Sequence, residues 1–367
     1  MGSKLPVWVN IGLIPLINLT LAFLCSGIVV VILGEDPIRA VELLVYGAFG
    51  YEEAIGYTLF YTTNFIFTGL AVAIAFHCGL FNIGGEGQAY IGGLGIGLVC
   101  LYFGNLPFVI VLPMAIIAGL VFGGIWGLIP GWLQAKRGSH TVITTIMLNF
   151  IASAIMTYLM VNILRAPGQQ IPESARFAET SWMPTMQDVL GWFGMEAARS
   201  PLNASFLIAL ICCVLAYIYI FKTKAGFELR VVGRNEHAAR YGGISPGNQI
   251  IIAMTIGGAM AGLVGLNVLM GSAHRLILDF TSGVGFVGIA VALMGRNHPF
   301  GIVLAALLFG ALYQGGSELT FDMPKINRDM VVVIQGLVIL FAGALEHMFR
   351  PTLERLFARR QSAIGVA

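Results

Sequence analysis

Ten uncharged apolar runs follow one another along the chain, at 11–33, 57–76, 88–103, 107–129, 141–163, 203–221, 249–270, 283–295, 300–316 and 330–345. A run of about 18 apolar residues has the length to cross a bilayer as an α-helix. In lipid, only helices and closed barrels satisfy their own backbone polar groups. The chain is therefore expected to be an all-α polytopic integral membrane protein with about ten transmembrane helices, forming one transmembrane domain over residues 1–367. Composition points the same way, with 57% hydrophobic and 10% charged residues, far from the profile of a soluble domain. The run at 283–295 is short for a full crossing and reads as a broken helix or one completed by its neighbours. The run at 11–33 is too long for a cleavable signal and no small-residue cleavage motif follows Leu33, so it reads as a span.

Charge orients these helices. With an even number of crossings and both termini in the cytoplasm, the inside carries Lys4, Lys136, Arg137, Lys222, Lys224, Arg230, Arg234, Arg240, Arg296, Arg350, Arg355, Arg359 and Arg360, thirteen of the 20 Lys and Arg residues. The other seven, Arg39, Arg165, Arg176, Arg199, Arg275, Lys325 and Arg328, fall outside, as the positive-inside rule requires. Glu35, Asp36, Glu42, Glu52 and Glu53 then share the first outside loop. The basic tail after Arg350 is expected to lie along the cytoplasmic surface.

Between two apolar runs lies Gly79-Leu80-Phe81-Asn82-Ile83-Gly84-Gly85-Glu86-Gly87-Gln88. A helix-breaking, hydrogen-bonding segment at membrane depth is tolerated only inside protein or against a water-filled cavity, so it points to a permeation path. The loop at 164–202, with Pro167, Pro172, Pro184 and Pro201 and the aromatics Trp182, Trp192 and Phe193, reads as an extracytoplasmic cap over the helix ends, with direct substrate contact as the alternative. Pairs at G-x-x-x-G spacing, Gly93 with Gly97, Gly119 with Gly123, Gly123 with Gly127 and Gly258 with Gly262, allow close helix packing. Cys25, Cys78, Cys100, Cys212 and Cys213 lack metal-ligand spacing and read as small apolar residues.

Absences narrow the function. No G-x-x-x-x-G-K-[ST] loop is present, so the chain is not expected to hydrolyse ATP itself; H-E-x-x-H and G-x-S-x-G are also missing. The match of 283–288 to G-x-G-x-x-G lacks a surrounding βαβ unit and carries no dinucleotide meaning. The apolar runs hold almost no Asp, Glu, Lys or Arg, which ion- or proton-coupled carriers use as relays. Energy is therefore expected from another polypeptide. In the inside loop at 222–248, Asn235 can cap a short helix that Gly242 and Gly243 end. Such a basic helix reads either as a solvated loop or as an insert for a groove on a partner.

Four segments in order, GLFNIGGEGQ, HTVITTIMLNF (140–150), GFELRVVGRNEHAARYGGIS and GVGFVGIAVALMGRNHPFGIVLAALLFGAL (283–312), resemble permease subunits of bacterial ATP-binding-cassette importers. The branch is the one serving branched-chain amino acids, simple sugars and nucleosides; the chain is most similar to permeases of nucleoside importers, and simple-sugar permeases share much of the pattern. One departure is Thr141, where many relatives carry an acidic residue after the His. The resemblance implies a type II-like importer bundle in the bacterial plasma (inner) membrane. It further implies a second homologous permease in a heterodimer, a cytoplasmic ABC ATPase and an extracytoplasmic substrate-binding protein. Besides membrane lipid, no further partner and no nucleic acid are implied. This chain would bind no cofactor, ATP being used by the ATPase. Transport would proceed by alternating access, with Gly226, Glu228, Arg230, Gly233, Asn235, Ala238 and Ala239 as coupling residues. Glu228 and the arginines would pair across the ATPase groove, and Gly233 would supply the turn before the short helix.

An uncharged polyhydroxylated ligand needs neutral hydrogen-bonding groups and an aromatic wall. Asn82, Gln88, Thr144, Thr145 and Asn149 fit this description, with Asn64 and Phe67 added from the second run. Thr145 and Asn149 share a helix face. Asn149 has a second reading, an interhelical hydrogen bond that locks the bundle. Gly84, Gly85, Glu86 and Gly87 read as a helix junction near the inner gate, with Glu86 favouring the helix N-terminus over direct substrate contact. A simple-sugar importer, an ion-coupled carrier and an intramembrane enzyme are the competing functions.

Overall fold

The computed structural model describes residues 14–191, 194–195, 198–323, 325–327, 330–337 and 340. Trp192, Phe193, Lys4, Arg328, the basic tail after Arg350 and parts of the runs at 11–33 and 330–345 lie outside the described residues. Among the described residues there is no strand, only an isolated bridge between Thr185 and Asn203. The chain divides into two compact units, 1–50 with 311–367, and 51–310.

In the smaller unit, α1 (Ile14–Ile32) is followed after a 117° bend by α2 (Pro37–Phe49). The sequence reading placed 35–53 in an outside loop; most of it is helix instead. Asp36 caps α2 by accepting the Ile38 amide at 2.8 Å, and Pro37 at the first helical position has the right φ and no amide to waste. Ala40, Leu44, Gly47 and Ala48 then form one buried stripe at helical spacing. Ala40 joins Val30, Leu319, Met323, Ile326, Val331 and Ile334 in a compact cluster.

The larger unit holds α3 (Glu52–His77), α4 (Gly85–Phe103), α5 (Phe108–Arg137), α6 (Thr141–Asn162), α7 (Met186–Gly191), α8 (Ser205–Lys222), α9 (Lys224–Arg234), α10 (Glu236–Tyr241), α11 (Pro246–Gly262) and α12 (Val284–Met294). Helix α13 (Pro299–Asp322) begins here and ends among residues of the smaller unit. A π-helical stretch, Leu266–Ala273, continues α11. At its centre stands α3, with 83% of its apolar window buried; α6 is peripheral, with 17%.

Glycine sets the closest helix contact. A Cβ on Gly123 would strike Gly258 O, one on Gly262 would strike Gly119 O, and one on Gly127 would strike Met254 O. Helices α5 and α11 therefore touch backbone to backbone along the G-x-x-x-G spacing, which maximises dispersion contact where lipid offers no hydrophobic gain.

Six helices are individually long and apolar enough to cross a membrane among the described residues, seven with the bent α1–α2 pair as one span. The expected ten is thus an approximate count. Helix α12 has only 11 residues, about 16 Å at the helical rise, so it covers roughly half a bilayer. Helix α4 has 19 residues, six of them Gly, and does not reach the hydropathy of a free-standing span.

Candidate functional site

Helix α3 ends at His77, Gly79 reverses the chain with φ 77°, and residues 80–83 run without helical structure to the start of α4. A break of this kind frees backbone groups that lipid cannot satisfy. Side-chain amides satisfy them. Asn82 Oδ1 accepts the Gly84 amide at 2.9 Å, Asn82 Nδ2 donates to Gln88 Oε1 at 3.0 Å, and Gln88 Nε2 donates back to Asn82 Oδ1 at 3.2 Å. From α6, Asn149 Oδ1 accepts the Gly87 amide at 2.9 Å while Asn149 Nδ2 donates to Ile83 O at 3.0 Å. Asn82 and Gln88 are buried, and Asn149 pins the junction to α6.

A second broken crossing meets the first. After the π-helical stretch, residues 274–283 descend without helix along α4: Leu276 fills the space at Gly97, Phe280 that at Gly93, and the Asp279 amide donates to Tyr90 Oη at 2.7 Å. Helix α12 then begins beside Gly85. Its N-cap position is Gly283, which has no capping side chain. The cap comes from α4: Glu86 accepts the Thr281 hydroxyl, the Gly283 amide at 2.9 Å and the Gly285 amide at 2.7 Å. A carboxylate at a helix N-terminus is favoured by the orphan amides and the macrodipole. Glu86 thus serves the start of another helix as well as its own.

A third buried polar set lies where α3, α8 and the π-helical stretch meet. Asn267 Nδ2 donates to Asn64 Oδ1 at 2.9 Å and to Phe60 O at 2.9 Å; Asn267 Oδ1 accepts from Asn203 Nδ2 at 2.9 Å and lies 2.9 Å from Ser205 Oγ. All four residues are buried. A π-helical bulge commonly marks a functional or strained position.

The remaining path candidates are placed plainly. Phe67 is fully buried on α3, and Thr145 is buried with its hydroxyl donating to Thr141 O at 2.8 Å. Thr144 donates to Thr141 O at 3.0 Å. Asn82, Gln88, Thr145 and Asn149 gather at the first break, since Gly84 approaches Thr145, Asn82 and Gln88; Asn64 belongs to the third set instead.

On the opposite side of the break from α4, α9 and α10 form a helical pair. Asn235 caps α10 by accepting the Ala238 amide at 3.0 Å, as expected for a helix over 235–241. Helix α9 is an addition: Thr223 caps it through the Gly226 amide at 3.1 Å. Gly233 lies inside α9 and not in a turn before α10, because its role is close approach: a Cβ there would strike His77 O and crowd Gly79 N. Gly226 packs equally tightly on the Tyr219 and Ile220 carbonyls. Within this chain Glu228 accepts from Gln249 Nε2 at 2.9 Å, with Lys224 at 3.8 Å. Arg230 donates to Gly226 O at 3.3 Å and sits 5.4 Å over Phe221. Ala239 is buried, whereas Tyr241 is 98% exposed.

At the other end of α4, described residues of the 164–202 segment pack near Gly104 and along the π-helical stretch. Phe177 and Met183 donate backbone hydrogen bonds to His274 O and Met270 O, and Trp182 stacks on His274 at 4.1 Å. Arg176 lies 4.6 Å over Trp182. Burial pushes the His274 imidazole below its ordinary value; a hydrogen bond to Met270 O opposes this and the Arg176 charge adds to it. A cleft of about 700 Å³ opens here, lined by Glu53, Tyr57, Glu179, Trp182, Asp188 and His274 among others.

Sequence reasoning missed Asn203, Ser205, Asn267 and Thr281. The available signal was a lone amide inside an apolar run, which is costly unless paired. Among the described residues no cluster of His, Cys, Asp or Glu could hold a metal ion.

Residues 54–343 match the family described as the permease component of branched-chain amino acid transport systems. The chain is 36% identical over 339 residues to the nucleoside ABC transporter permease protein NupB of Lactococcus lactis, covering 90% of each chain. It is 36% identical over 336 residues to the guanosine ABC transporter permease protein NupP of Bacillus subtilis, covering 90% of this chain and 93% of that one. Against the glucose ABC transporter permease protein TsgB13 of Haloferax volcanii it is 33% identical over 357 residues, covering 97% and 93%.

Proposed function

Since the chain belongs to the family of permease components of branched-chain amino acid transport systems, we propose that it is the membrane subunit of an ATP-driven importer of nucleosides. Two relatives at 36% identity are named as nucleoside and guanosine permeases, and this carries the substrate reading. Neutral amides at the first break and in the Asn64, Asn203 and Asn267 set suit an uncharged, hydroxyl-rich ligand. Glucose import is the second reading, favoured by the relative at 33% identity.

In this reading α9 and α10 face the cytoplasm and dock on an ABC ATPase, which binds and hydrolyses the ATP. Tyr241, Phe227 and the capped start of α10 are the exposed features available to it. An extracytoplasmic binding protein delivers substrate to the 164–202 side, and a second, homologous permease completes the path across the plasma membrane. Substrate passes by alternating access as the ATPase pair closes and reopens.

The test is reconstitution of the assembly in proteoliposomes with ATP inside. Uptake of radiolabelled guanosine that needs ATP and the binding protein supports the reading. ATP-dependent uptake of glucose alone moves it to a sugar importer. Uptake by this chain without any ATPase, driven by an ion gradient, overturns it.

A further inference from the structure

We infer that α12 is the element that carries movement from the coupling helices to the junction of the two broken crossings, with Glu86 and His298 as its positioning residues. The inference rests on the importer reading above. Helix α12 is gripped at both ends. At its C-terminal end, Arg296 and Asn297 take left-handed φ values of 53° and 55° to turn the chain tightly into α13. That turn is bracketed from two helices: His77 Nε2 of α3 lies 2.9 Å from Asn297 O, and the His298 ring packs 5.3 Å from Phe221 of α8. Phe221 in turn meets the His77 ring at 5.5 Å and carries Arg230 of α9 at 5.4 Å. The coupling helix α9 therefore touches the residues that hold the end of α12 through the Phe221 ring and through Gly233 against His77.

The N-terminal end is held by Glu86, whose two carboxylate oxygens receive the Gly283 and Gly285 amides and the Thr281 hydroxyl. Between the two grips lie 11 helical residues without proline. A short helix without proline or bulge, its two glycines packed against α4 and Thr68, transmits displacement with little bending. Its length of about 16 Å matches the depth of the break: Gly288 packs on Thr68, nine residues before the end of α3.

Gly79, at one end of the non-helical stretch, packs on Gly233 of α9, and Gly85, at the other, packs on Gly285 of α12. A shift of α9 thus acts on residues 79–85 directly at one end and through α12 at the other. Such a shift changes the shape of the break instead of translating it as a body.

Purified full assemblies in proteoliposomes test this through uptake and ATP hydrolysis measured in parallel. Glu86→Gln keeps the size of the side chain but turns one acceptor into a donor facing an amide. We expect uptake per ATP to fall about tenfold, on the scale of one lost charge-assisted hydrogen bond, while hydrolysis stays within about twofold. His298→Leu should uncouple in the same way, and His298→Phe, which restores a ring against Phe221, should recover most of the ratio. Thr281→Val serves if Glu86→Gln fails to assemble. An unchanged ratio in these variants, or uptake and hydrolysis falling in equal proportion, overturns the inference. A wild-type assembly that shows no ATP-dependent uptake overturns the importer reading, and the inference falls with it.

Discussion

Glu86 on α4 receives the amide of Gly285 on α12 at 2.7 Å, and a Cβ on Gly285 would collide with the Glu86 backbone nitrogen. The carboxylate can cap the second helix only because that helix has no side chain at the point of contact. Two helix starts, more than 190 residues apart in sequence, depend on each other.

Gly285→Ala should therefore separate α4 from α12. The obstacle is backbone and cannot rotate away, so a loss of about 2 kcal/mol is expected, within the range of overpacked cores. Thermal unfolding in detergent should show it, whereas Ser282→Ala, which removes only an exposed hydroxyl bond to Asp279 O, should shift the midpoint far less.

Asn267→Leu should destabilise the bundle by about 2 kcal/mol, since buried Asn64 Oδ1 and Phe60 O would lose their donor. The double variant with Asn64→Leu should cost less than the sum of the two single changes. A double-mutant cycle on unfolding midpoints reads this, and strict additivity would show that the amides are independent.

Gly233→Val should detach α9 from the end of α3, because its branched side chain would meet His77 O and Gly79 N. Membrane insertion and the helix content seen by circular dichroism should stay normal while uptake is lost. Glu228→Ala removes the bond to Gln249 on α11 and the exposed ion pair with Lys224, and should reduce uptake less than Gly233→Val does.

Acid should loosen the cap over the helix ends. In the folded protein His274 is held neutral below the ordinary imidazole value of 6.5, mainly by burial, with the Arg176 charge adding to it. The unfolded segment binds its proton near 6.5, so it holds more protons than the folded one as pH falls below that value. Stability of the cap is present above 6.5 and is lost as pH drops towards the lowered folded value. Trp182 fluorescence against pH should report the change, and His274→Asn should flatten the curve.

Local rules were legible where the chemistry was local. Asn235 announced α10 because a cap acts within one turn, and the G-x-x-x-G spacings announced close packing because small residues are what close packing requires. The 79–88 segment was legible as a break for the same reason. Helix α9 and helix α2 were not, because their polar residues resemble loop composition until a cap and a buried stripe are seen together. Gly233 was misread as a turn residue because glycine serves turns and close approaches alike, and only the partner backbone of His77 distinguishes them.

Hydropathy and charge by themselves determined that this is an all-helical membrane protein, since burying a backbone in lipid leaves few choices. Motif order determined the permease family. Tertiary structure alone decided that Glu86 caps α12, that Asn82 pairs with Gln88, and that Asn64, Asn203 and Asn267 form one buried set. Apart from Asn82 and Gln88, which lie six residues apart, these pairings join distant parts of the chain, and a sequence records which groups need a partner but not which partner the packing brings within reach.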